Sequence, residues 1–407
     1  MKKRAILLIM DSLGVGAMED VPRVRPQDKN AHTFRHILDQ AKKIDIPCFK
    51  QLGINRLLHH PRLNDDQPGL ASWGTLNLQH EGADSYAGHQ EIMGTRPRAP
   101  VLEPFVAVIQ PVRGALEKAG YQVEIPEPEL PYLWVNGAVV IGDNIETDYG
   151  QIYNVSAALD AIPFTEVLKI GRIVRRVAKV NRVIALGGEG IPPARLRSSI
   201  ERRSDGLIGL NSPRSGVYEK GYQVRHLGYG VDPERQIPNI LIKNGWNVDL
   251  IGKMQDIIDC DGAGKYPAVE TDRVMQILLS SLYRMDRGLI AATVQETDLA
   301  GHAQDVDRYA RKIMCVDRYL TALIRNMADE DLLLISADHG NDPTIGHSQH
   351  TREKTFLLAY GKKWSAVPLG ERSTLSDLAA TLAQFFGVEN PENGTGFYQQ
   401  IMERGSL

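Results

Sequence analysis

The sequence predicts an α/β protein: an open, mostly parallel core sheet with a second α/β region inserted into the chain. Apolar runs at 5–10 (AILLIM), 289–294 (LIAATV) and 332–335 (LLLI) have strand length and no alternation, as parallel strands buried on both faces require. Between and after them lie segments with helical spacing, of which 306–327 is the longest. A proline-rich stretch at 97–131 is followed by a change of texture and marks a domain junction. Two domains are also the default for 407 residues.

With 43% hydrophobic and 24% charged residues the chain has the composition of a globular protein, and a net charge of −3 gives no basic excess to suggest a nucleic-acid partner. Cys48, Cys260 and Cys315 are far apart and form no CxxC pair. That argues against a disulfide framework or a thiolate zinc site and fits a reducing cytoplasm. The N-terminal MKKRAILLIMD is too short in its apolar run for a signal peptide, and no run reaches membrane length. A cytoplasmic protein with no membrane partner is expected.

The elements follow in order. The first strand, 5–10, ends at Asp11-Ser12-Leu13-Gly14-Val15-Gly16, so Asp11 sits at a strand end facing the crevice where open α/β sheets bind ligands. Residues 32–43 read as helix, and 59–70 (HHPRLNDDQPGL) as a surface loop. In 82–94 (GADSYAGHQEIMG), Ser85 lies among small residues ahead of a helix. It fits a nucleophile beside an anion-stabilising helix start, or an ordinary N-cap. Residues 156–180 read as helical segments broken by Pro163, and 183–186 as a short strand. From Arg172 to Arg203 nine Lys or Arg face two acids. They form either a solvated basic face or a cap that grips an anionic substrate.

The core pattern returns at 246–252 (WNVDLIG), followed by Lys253-Met254-Gln255-Asp256-Ile257. Residues 268–284 are amphipathic and helical. The strand 289–294 leads to Glu296-Thr297-Asp298-Leu299-Ala300-Gly301-His302, where Asp298 and His302, four apart, converge on one ion if they share a helical turn. The strand 332–336 runs into Asp338-His339-Gly340, His350 comes eleven residues past His339, and 376–386 is a last helix. Asp11, Asp298, His302, Asp338, His339 and His350 suffice for two divalent ions, and oxygen and nitrogen donors without sulfur suit Mn, Zn or Mg. Two such ions clamp both oxygens of an in-line phosphoryl displacement and activate a serine.

DSLGVG near the N-terminus, IGKMQDI at 251–257 and above all ADHGNDP…HTRE at 337–353 resemble phosphopentomutase, of the alkaline-phosphatase superfamily, and the likeness spans nearly the whole chain. The resemblance implies a doubly wound core sheet flanked by helices, formed by 1–99 and 223–407, with 100–222 as an inserted cap carrying substrate-binding residues. It implies one manganese held by Asp298, His302 and His350 and another by Asp11, Asp338 and His339. Ser85 matches the threonine that the family phosphorylates. There are departures. Serine replaces threonine, and Gln90 replaces a tryptophan. Asp298 and His302 are four apart rather than five, as in the cofactor-independent phosphoglycerate mutases. Leu186 stands where a phosphate-binding arginine is expected, and Arg202 or Arg203 matches a second one. The expected function is a two-metal phosphomutase acting on a small phosphorylated sugar through a phosphoserine. A metal-dependent phosphohydrolase on the same scaffold and a metal-retaining binding protein are the alternatives.

Overall fold

Apolar runs that cannot face water on either side need helices above and below, and the core sheet has both. The computed structural model describes residues 2–64, 69–147 and 149–402, so 65–68 of the expected loop 59–70 lie outside the described residues. Two units emerge, Met1–Pro97 with Asp232–Leu407, and Arg98–Val231.

In the first unit Lys3–Met10 is central. It pairs in parallel with Arg287–Val294 on one side and Leu332–Ser336 on the other. Asn247–Gly252 and then Gly264–Tyr266 extend the first side, also in parallel. On the second side Glu353–Tyr360 runs antiparallel to Leu332–Ser336, and Ser72–Leu76 and Pro368–Arg372 lie beyond it. Glu353–Tyr360 is thus reversed relative to both neighbours, and it begins at the edge where Leu332–Ser336 ends. His350 and the residues before Glu353 therefore share that edge with Asp11 and Asp338.

Alternate residues of Lys3–Met10 serve the two faces. Ile6, Leu8 and Met10 pack with Thr33–Gln40, Thr271–Arg284 and Val306–Asn326, through residues such as Ile37, Leu278 and Ile313. Ala5, Leu7 and Ile9 pack with Ile237–Lys243 and Asp377–Phe386, through Leu241, Leu378 and Leu382. This is the doubly wound arrangement, and burial of apolar area on both faces is its main stabilisation.

The second unit has its own six-stranded sheet, in the order Gln223–Gly228, Arg182–Gly188, Ile152–Ala158, Val139–Asp143, Leu133–Val135, Val123–Glu124. Helices Ile109–Lys118 and Phe164–Val177 cover one face with Val112, Leu116, Ile170 and Val174. Two expectations are corrected here. The inserted region ends at Val231 rather than 222, because Gln223–Gly228 pairs antiparallel with Arg182–Gly188. That strand, QVRHLG, begins exposed and interleaves its apolar residues with polar ones, so no apolar run announces it. Residues 156–158 are not helical either. They close the wholly buried strand Ile152–Ala158, and the helix starts only after Pro163, whose fixed φ suits a helix entry. Among the described residues, no helix is long and apolar enough to cross a membrane.

Candidate metal centre

Asp11 follows the central strand directly and is fully buried. The chain turns at Ser12, which adopts φ 69°, an uncommon left-handed conformation for a residue with a side chain. The Ser12 N–H donates to Asp338 Oδ1 at 3.0 Å, and its hydroxyl meets the Tyr309 hydroxyl at 2.8 Å. These bonds over-determine the turn and aim Asp11 at Asp338. Asp298 and His302 lie one turn apart on the helix Glu296–His302, as the spacing predicts.

The six residues form two groups, Asp11 with Asp338 and His339, and Asp298 with His302 and His350, and within each the potential ligand atoms lie within 4.8 Å of one another. The groups adjoin, since the rings of His339 and His350 stack with centroids 4.0 Å apart. All three imidazoles are held alike. Nδ1 of His339 faces the Gly340 carbonyl at 2.8 Å, Nδ1 of His350 the Ala83 carbonyl at 2.8 Å, and Nδ1 of His302 the Ser348 carbonyl at 2.6 Å. A carbonyl accepts only, so in the neutral ring Nδ1 carries the proton and Nε2 presents its lone pair inward. Nε2 of His339 is buried and makes no hydrogen bond, although Asp338 lies 3.1 Å away. An orphaned buried imidazole nitrogen among carboxylates, with the opposite nitrogen fixed on a backbone carbonyl, fits a cation ligand.

The charges point the same way. Burial, then the neighbouring charge of Asp338, pushes the Asp11 carboxyl up to about 6. Burial also opposes ionisation of Asp298 and Asp338. The histidines His302 and His350 outweigh it at Asp298, and His339 and His89 at Asp338, so both are held well below the usual range. Burial disfavours a charged His339, yet Asp338 and Asp11 raise it to about 9. Converging carboxylates thus pull positive charge into the centre.

Ser85 is the first residue of the helix Ser85–Ile92 but not its cap. Asp84 takes that role and accepts from the Ala87 N–H at 2.8 Å. The Ser85 hydroxyl is left free to turn inward. It donates to Asp338 Oδ2 at 2.6 Å, with Asp11 Oδ1 at 3.3 Å. Lys253 joins it, with Nζ 2.6 Å from Ser85 Oγ and 2.8 Å from Asp11 Oδ2. Burial would lower the Lys253 ammonium, but Asp11 and Asp338 raise it above its ordinary value. Sequence reasoning noticed the IGKMQDI stretch without placing Lys253 in the site. Its available signal was position, one residue past a core strand end. Arg352 is structural: it pairs with Asp20 at 2.8 Å and donates to the carbonyls of His80 and Gly82 at 2.7 and 2.6 Å, strapping down the segment before Ser85.

The family model described as the metalloenzyme superfamily matches residues 3–390. The chain belongs to the metalloenzyme superfamily. Its relatives include a protein named phosphopentomutase from Kosmotoga olearia, 29% identical over 98% of this chain and 100% of that one. Others of that name come from Symbiobacterium thermophilum, 28% identical over 98% of each chain, and from Deinococcus radiodurans, 28% identical over 97% of this chain and 99% of the other.

Against this metalloenzyme core, the inserted unit offers little for an anion at the expected positions. Leu186 is 2% exposed and packs in an apolar cluster with Ile184, Ile191 and Leu196. Arg203 pairs with Asp205 at 2.6 Å and donates to the carbonyls of Ile145 and Thr147. Arg202 is exposed and donates to the Glu129 carbonyl.

Proposed function

We propose that this chain is a two-metal phosphomutase that moves a phosphoryl group on a small phosphorylated sugar by way of Ser85, with manganese as its cation. One observation carries the reading: the Ser85 hydroxyl is held 2.6 Å from both Asp338 and Lys253, beside the ligand groups. A centre that only stores metal has no use for a hydroxyl aimed in this way. Cations held by the Asp11 and Asp298 groups would draw charge from the transferring phosphoryl oxygens and acidify the serine. Asp338 orients Oγ by accepting its proton in a hydrogen bond. Lys253 and the first N–H groups of Ser85–Ile92 stabilise negative charge gathering beside Oγ. The backbone carbonyls behind His302, His339 and His350 keep each Nε2 inward. The relatives named phosphopentomutase favour a mutase over a hydrolase.

Phosphorylated sugars incubated with the protein and Mn²⁺, followed by ³¹P NMR, test the reading. An isomeric ester should appear without matching free phosphate, and intact mass should gain one phosphate that Ser85→Ala does not. Stoichiometric release of phosphate would point instead to hydrolysis.

The substrate is proposed to differ from ribose phosphate. A charge-assisted hydrogen bond contributes about 1.5–3 kcal/mol. Leu186 supplies none, and the Arg203 guanidinium is already engaged. Losing a two-bond grip weakens binding by about two decades or more. Interconversion of ribose 1-phosphate and ribose 5-phosphate should therefore be slow, and a KM in the micromolar range for either would overturn this assignment.

A further inference from the structure

A cavity of ≈350 Å³ lies at the N-terminal end of the core sheet. Lys3 and Arg287, which line it, are the first residues of their strands. Asp11 follows the other end of Lys3–Met10, roughly 25 Å away at strand rise. The proposed phosphomutase chemistry makes no use of this site.

The lining combines three cations, Lys2, Lys3 and Arg287, with three rings, Trp246, Phe385 and Tyr398. The Arg287 guanidinium lies 4.2 Å from the Trp246 ring centroid, and Lys3 Nζ 5.0 Å from that of Phe385. Among the described residues none of these cations has a carboxylate within ion-pair distance. The one acid in the lining, Glu330, is already paired with Lys363. The rings are braced from behind. Trp246 leans on Phe386 with centroids 4.7 Å apart, and Phe385 meets Tyr398 edge-on at 5.5 Å. A preformed cavity with aromatic walls and a few convergent charges is the usual make-up of a small-molecule site, and its volume falls within the roughly 300–1,000 Å³ of such sites.

We propose that this cavity binds a nucleotide-like anion, a planar heteroaromatic ring bearing a phosphate. The ring has the partly exposed Trp246 and Tyr398 to lie against, where stacking and cation–π attraction act together. The phosphate has Lys2, Lys3 and Arg287 to neutralise it, with Arg287 able to grip two oxygens at once. Bare phosphate would leave the rings wet, and a neutral ring would leave the cations unanswered.

Calorimetric titration of the Mn²⁺-loaded full chain with AMP, adenosine and inorganic phosphate tests this. AMP should bind more tightly than either fragment. Arg287→Gln, at an exposed strand start, should weaken AMP by about tenfold with an unchanged circular dichroism spectrum. Asp338→Asn, which disturbs the metal centre, should leave the AMP isotherm intact. The proposal is overturned if AMP does not bind at millimolar concentration, if phosphate binds as tightly as AMP, or if Asp338→Asn abolishes AMP binding while Arg287→Gln does not.

Discussion

Each histidine of the two ligand groups is held through Nδ1 by a backbone carbonyl, and each carbonyl comes from a loop at the same sheet edge. The residues of the two candidate groups were legible in the sequence because they come as an Asp-His pair, an i, i+4 pair, an isolated His just before a strand and an Asp directly after one. Lys253 was not legible, because its partner Ser85 is 168 residues away and nothing local in GKMQDI says where the ammonium goes. Lys253→Met should separate its role from metal binding. It removes the cation spanning Asp11 and Ser85 but no ligand, so metal content by mass spectrometry should hold while turnover falls about 100-fold or more, as with loss of one preorganised donor. Loss of metal in parallel with activity would make Lys253 a structural counter-ion only.

The helix Ser85–Ile92 must come very close to the Asp338 turn to bring Oγ within reach. Gly88 permits this: a Cβ there would lie 2.8 Å from the Asp338 carbonyl oxygen and 3.1 Å from Asp338 Cβ. Helix propensity alone would favour alanine by about 1 kcal/mol, whereas overpacking against backbone costs about 1–3 kcal/mol. The steric effect should win. Gly88→Ala should lower stability in urea and, by pushing the helix away, reduce turnover beyond what the lost stability explains; a variant as stable and active as the parent would contradict this close approach. A second element-scale effect sits at Asp317 on Val306–Asn326, whose buried carboxylate accepts from the N–H groups of Cys48 and Phe49 and so closes the start of Pro47–Leu52. Burial raises its pKa from 3.8 to about 6. A raised acid favours the protonated folded state, so this contribution is full below pH ~4 and lost as pH rises through ~6, in total about 3 kcal/mol. Asp317→Asn does not titrate. The stability difference, parent minus variant, should therefore fall between pH 4 and 7, and a flat or rising difference would refute the shift. The long periodic helices and buried strands were readable, to within a few residues, because burial on a fixed face leaves a period in the sequence. The polar edge strand Gln223–Gly228 left none, since backbone pairing with Arg182–Gly188 defines it rather than an apolar run.

At the scale of the molecule, all six candidate ligands and Ser85 belong to the unit formed by Met1–Pro97 and Asp232–Leu407, and among the described residues the inserted unit Arg98–Val231 contributes no such group. Each unit has its own apolar core, the first on both faces of its sheet and the second around Val112, Ile141, Val155 and Val174. Unfolding should then be resolvable into two transitions rather than one. Cation binding stabilises only the unit that binds, by about 2.7 kcal/mol per site at a hundredfold excess over Kd. Stripping the protein with EDTA should lower one transition by on the order of 5 °C and leave the other in place. Mn²⁺ should restore it. With the cations gone, buried Asp11, Asp298 and Asp338 must share protons and histidine charge instead, which adds to the loss in the same unit. Differential scanning calorimetry with and without chelator measures both transitions at once. Equal shifts in the two would mean that the inserted unit's stability depends on the metal-binding core, and no shift in either would remove the case for cations at the centre.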